Sequence, residues 1–170
     1  MAFFPGQNAT SDFTRLAGAE VNYPPIPQLA LTEQILRIPL EVPASGRLPL
    51  WLEATLFRPD GSGPFPLVVL SHGTPREAQQ RLERQRFEAQ SWILVKLGFA
   101  VIIPMRRGYG HSEGGYAEEE GECERARYYE AGLASAQDLL ATVRFMQSQP
   151  YIEARHIILA GHSSGGFASL

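Results

Sequence analysis

The sequence predicts an α/β fold: a mostly parallel sheet with helices on both faces. Three observations carry this. Leu67-Val68-Val69-Leu70, Phe99-Ala100-Val101-Ile102-Ile103 and Ile157-Ile158-Leu159-Ala160 are apolar without alternation, as strands covered on both faces are. Segments of helical character, 77–97 and 131–149, separate them, and strands alternating with helices imply parallel pairing. Each apolar run leads into a stretch rich in glycine and polar residues, and in such sheets sites form at the carboxyl ends of strands.

Residues 1–31 carry Pro5, Pro24, Pro25 and Pro27 and no period; they read as an extended leader to a domain spanning 32–170. Over 33–42, Ile35, Ile38, Leu40 and Val42 partly alternate with polar residues, and Pro39 demotes the strand to an edge. Over 48–57, Leu48, Leu50, Leu52, Ala54 and Leu56 share one face and Trp51, Glu53, Thr55 and Phe57 the other. The turn-like 43–46 link makes these two strands an antiparallel pair. In 77–97, Leu82, Phe87, Trp92, Ile93, Val95 and Leu97 line an apolar side, and Gly98 stops the helix. Arg76, Arg81, Arg84 and Arg86, with Glu77, Glu83 and Glu88, form its charged face. The stretch 104–130 is long and irregular, and its acidic run 118–124 reads as a solvated loop. In 131–149, Ala136, Leu139, Leu140, Val143 and Met146 recur at helical spacing, with Pro150 just beyond.

The 170 residues fit one domain, and 44% hydrophobic with 19% charged content places it among globular chains. A net charge of −3 gives no reason to expect nucleic acid as a partner. No apolar run approaches the roughly 18 residues of a membrane span. The start lacks a basic and an apolar signal region, so a cytoplasmic location is expected. The lone cysteine, Cys123, sits between Glu122 and Glu124, which disfavours its thiolate and makes it a poor nucleophile. Asn8-Ala9-Thr10 has sequon form by chance. No metal or cofactor is expected.

The chemistry concentrates in Gly161-His162-Ser163-Ser164-Gly165-Gly166. A serine between a strand and a helix, with glycine two places before and after, has the form of a nucleophile elbow. The turn strains the serine backbone, and a side chain at either glycine would collide with neighbouring backbone. Ser163 has Gly161 and Gly165 at those places, whereas Ser164 has His162 two places back. Gly110-His111-Ser112-Glu113-Gly114 has the same letters but follows Arg106-Arg107-Gly108-Tyr109 and not an apolar strand. Ser112 therefore reads as a loop serine.

With Ser71-His72-Gly73-Thr74-Pro75 after the third strand and Arg106–Gly114 after the fourth, the chain resembles the amino-terminal part of an α/β-hydrolase, of the dienelactone-hydrolase-like and serine-peptidase-like kind. The resemblance spans about 32–170. It implies that Ser163 Oγ attacks a carbonyl carbon, with the amide of Ser164 as one oxyanion donor and that of Thr74, or next Gly73, as the other. His72 and Arg107 would brace the rim loops, and Tyr109 would line the pocket. The partner would be a small-molecule ester, lactone or peptide. In this fold the acid and histidine follow the serine, so they are expected beyond Leu170, and these residues alone are expected to turn over little substrate. The competing reading is a non-catalytic domain of the same fold that binds a ligand in the cleft; a strained serine between glycines has no use there.

Overall fold

The computed structural model describes residues 31–41, 50–75 and 83–170, without the side chain of Cys123. The expected leader up to residue 30 with its sequon, the 43–46 turn, Val42, Leu48 and the 76–82 segment with Arg76, Glu77, Arg81 and Leu82 lie outside the described residues.

Five strands, β1 (Glu33–Leu40), β2 (Leu50–Phe57), β3 (Phe65–Ser71), β4 (Ala100–Pro104) and β5 (Ile152–Gly161), form one sheet in the order β1-β2-β4-β3-β5. β1 and β2 are an antiparallel edge pair, and Pro39 lies opposite Trp51 on the outer strand, where its missing N–H costs no ladder bond. β2 also pairs antiparallel with β4, whereas β3 runs parallel to both β4 and β5. The sheet is therefore mixed, with its parallel half at the site.

Strand alternation divides the core in two. Ala100 and Ile102 join Leu52, Ala54, Leu56, Leu139 and Met146 on the face covered by α2 (Tyr128–Gln147). Val101 and Ile103 join Phe57 on the other face, against Leu94 and Val95 of α1 (Glu88–Lys96). Successive crossovers thus lie on opposite faces. The chain leaves β3 for β4 on one side, then returns past β3 to β5 on the other. Such a reversal opens a crevice at the carboxyl end of the central strand, here Ser71 of β3.

The helix expected over 77–97 is confined, among the described residues, to α1. Phe87 takes a left-handed conformation, φ 43° and ψ 49°, through which no α-helix can run. Arg84 and Arg86 are not on a helix face; both pair with Glu33 on the edge strand. The face of α1 toward the sheet carries Ser91, Leu94 and Val95, and Ile93 and Leu97 are exposed. Gly98, at φ 92°, ends the helix as expected. In α2, Leu139 and Met146 are buried and Val143 packs against them, but Leu140 is half-exposed.

Candidate active site

β5 hands directly into α3 (Ser164–Phe167) through His162 and Ser163. The amide of His162 still donates to Ser71 O at 3.0 Å, so the strand pairing continues until one residue before the bend. Ser163 then takes φ 54° and ψ −124°. Only Ser163 and Phe87 have positive φ among the described non-glycine residues. Such a conformation costs about 1–3 kcal/mol and persists only where the surroundings impose it. Here they do. A Cβ on Gly161 would lie 2.4 Å from the backbone of Gly165, and one on Gly165 would lie 2.3 Å from His72 O and 2.4 Å from Ser71 O. Both glycines are therefore steric requirements of the bend. α3 is seated by Phe167, whose ring stands over Gly132 of α2, where a Cβ would be 2.4 Å from Cε1.

The Ser163 side chain is exposed, and among the described residues no histidine hydrogen-bonds its hydroxyl. It lies between two clefts. One, of about 250 Å³, is lined by Gly73, Thr74, Tyr109 and His162 among others. The other, of about 410 Å³, is lined by Glu120, Tyr128, Ser164 and Phe167 among others. Gly73 passes so close that a Cβ there would be 3.2 Å from Ser163 Cβ. The amide hydrogens of Gly73, Thr74 and Ser164 take no acceptor among the described residues. The structure thus gathers Ser163, Ser164, Gly73, Thr74, His72 and Tyr109 on one rim.

His72 is buried and braces the loop. Its Nδ1–H donates to Gly73 O at 2.8 Å and its Nε2 accepts from the Arg106 amide at 3.3 Å. Burial and then the Arg106 charge push its pKa down to about 4, so the ring is neutral. Both nitrogens are committed, which leaves none to serve as a base.

Arg107 points away from the rim. Its guanidinium pairs with Asp138 at 2.8 Å and donates to Ala134 O at 3.1 Å, and its amide donates to Asp138 at 2.7 Å. It ties the β4 loop to α2. Burial pushes the Asp138 carboxyl up to about 6 despite these donors.

The residue beneath the site is Arg106, which sequence reasoning passed over. Its side chain is fully buried and forms a two-point pair with Glu118, which is 4% exposed. Glu118 belongs to the acidic run read as solvated; this one carboxylate is instead drawn inside by Arg106. Burial alone would raise its pKa, but the Arg106 hydrogen bonds and charge, with donors from Tyr109 and Ser135, hold it below the ordinary range. Tyr109 is buried, its hydroxyl donating to Glu118 at 2.9 Å, and burial pushes its phenol well up. A readable signal existed. A buried cation must be paired, and an arginine after the buried run Ala100–Met105 calls for an acid further along the chain, without saying which of the two arginines or which acid.

Ser112 is a loop serine, as expected. Its hydroxyl donates to Met105 O at 2.5 Å and accepts from Glu53 N at 2.9 Å. His111 and His156 engage Glu53 and Glu153. Among the described residues, no three His, Cys, Asp or Glu side chains group as metal ligands.

With this geometry, the chain is similar to several solved structures. Porphyromonas gingivalis dipeptidyl peptidase 4 superposes with a TM-score of 0.59 at 22% identity, over 82% of this chain and 18% of that one. Pyrococcus horikoshii acylaminoacyl peptidase gives 0.54 at 19%, over 79% and 19%. An α/β serine hydrolase homologue from Coxiella burnetii gives 0.53 at 22%, over 80% and 54%. At these identities the likeness is one of fold, and that fold is the α/β-hydrolase fold expected from the sequence. The chain spans about a fifth of the two peptidases. No curated protein sequence matches it. The family model described as X-Pro dipeptidyl-peptidase (S15 family) matches residues 50–170, most of the chain. The chain therefore belongs to the S15 X-Pro dipeptidyl-peptidase family.

Proposed function

We propose that this chain carries the nucleophile of a serine hydrolase that cleaves a peptide or ester bond through an acyl-enzyme on Ser163. The observation that carries the reading is the φ of 54° imposed on Ser163 by two glycines whose Cβ positions are already occupied by backbone. Oγ attacks the carbonyl carbon, and the carbonyl electrons move onto oxygen. The amides of Ser164 and Thr74, with Gly73 as the alternative to Thr74, donate to that oxyanion. Such donors contribute about 3 kcal/mol each. The proton of Oγ goes to a histidine oriented by an acid, the two partners that follow the serine in this fold. Among ester, lactone and peptide bonds, the family description favours the peptide.

The test is hydrolysis of a p-nitrophenyl ester and a peptide anilide by the intact protein. Ser163→Ala is expected to lower kcat by about a thousandfold or more. Undiminished hydrolysis in that variant would refute the assignment. A folded protein with no hydrolysis and no phosphonate labelling would point instead to a binding domain.

A further inference from the structure

We infer that Arg106 and Glu118 form a positioning pair for the oxyanion hole, setting the spacing between the Thr74 and Ser164 amides. The inference rests on the acyl-enzyme reading of Ser163. A buried ion pair is costly to desolvate and contributes little net stability, so its location needs another account. Arg106 Nη1 donates to Ser71 Oγ at 3.0 Å and to His72 O at 2.5 Å, at the end of β3. Nη2 donates to Glu118 Oε2 at 2.9 Å and reaches Ser164 Oγ at 3.5 Å. Ser164 Oγ lies 2.9 Å from Thr74 Oγ1, which is 3.4 Å from Glu118 Oε2.

These contacts can be satisfied together in one direction. Arginine only donates, and an ionised carboxylate only accepts. Ser164 Oγ therefore accepts from Arg106 and donates to Thr74, whose own proton is shared between Glu118 Oε2 and, at 3.2 Å, the Tyr109 hydroxyl, itself a donor to Glu118. The hydroxyls that link the two proposed oxyanion-donor residues form a closed circuit whose ends are a fixed positive and a fixed negative charge. Charged ends strengthen each link. One guanidinium thus ties together three segments that are remote in sequence: the loop after β3, the 118 segment and the start of α3.

The test uses variants that keep every backbone amide: Thr74→Val, Ser164→Ala and Glu118→Gln, in the intact protein. Arg106→Met strands a buried carboxylate and is not used; Glu118→Gln leaves the Arg106 charge unpaired but keeps the acceptor oxygen and the shape, and its kinetics are read only with a thermal melt that shows it folded. Each of the three is expected to lower kcat about tenfold with KM within twofold of wild type. Pairwise combinations are expected to lose no more than the worse single variant, because all break one circuit. A merely structural role would lower thermal stability without this kcat-against-KM split. Values of kcat within twofold of wild type in all three, or losses that multiply in the combinations, would overturn the inference while leaving Ser163 as nucleophile. Phosphonate labelling that survives Ser163→Ala would overturn the underlying reading, and this inference with it.

Discussion

The chain contains the same pentapeptide pattern twice, at Gly110–Gly114 and at Gly161–Gly165, and folds the two copies in opposite ways. The first runs along β2. Ser112 Oγ is bonded on both sides, the Glu113 amide donates to Trp51 O at 2.8 Å, and the Glu113 carboxylate accepts from Trp51 N at 3.1 Å. It extends the sheet beyond the end of β4. The second sits where a parallel strand meets a helix, and there the serine hydroxyl is held out from the sheet. Even the glycines serve different ends. A Cβ on Gly110 would meet the end of the Glu53 side chain at 2.6 Å, which can move, whereas one on Gly165 would meet backbone carbonyls, which cannot. A serine flanked by glycines acquires its chemistry from the elements on either side of it.

The largest effect expected to separate the copies is on turnover. Ser163→Ala removes it, whereas Ser112→Ala leaves kcat within about threefold of wild type, since that hydroxyl touches no reacting atom. Equal losses would erase the distinction. Next comes backbone clearance. Gly165→Ala is expected to destabilise by about 3 kcal/mol or more, about 10 °C in Tm for a domain of this size. Gly115→Ala, whose Cβ meets nothing within 4 Å, is expected to be neutral within about 0.5 kcal/mol. Thermal melts of both variants check this.

Acid should act on the nucleophile's rim through His72. Its pKa of about 4 in the fold lies below the ordinary histidine value of 6.5. Its contribution is therefore complete above pH 6.5 and lost as pH falls from there toward 4, by about 3 kcal/mol in all. Urea unfolding should show wild type losing that much more than His72→Asn between pH 7 and 4. Parallel losses would mean that the ring is not held neutral. Smaller, though above that of Gly115→Ala, is the effect of Ser112→Ala on stability, about 1–2 kcal/mol for two hydrogen bonds, read from urea midpoints.

The sequence made the elbow legible because its requirement is steric and local: two absent side chains around one serine, after an apolar run. The three parallel strands followed from runs that have no polar face, but not their order in the sheet or the antiparallel pairing of β2 with β4. The start of α1 was not legible, since nothing in its composition marks Phe87 as left-handed. Arg106 and Arg107 are neighbours with the same side chain, and the one that enters the core meets acceptors at the end of β3, 35 positions away in sequence. Glu118 was hidden for a related reason. In a run of acids, the buried one is selected by a cation twelve positions earlier.

The most direct test of the account is to map the adduct formed when a fluorophosphonate reacts with the intact, folded protein. Modification is expected on the peptide carrying Ser163 alone and not on that carrying Ser112. An adduct on Ser112, or a folded protein that takes no adduct, would contradict it.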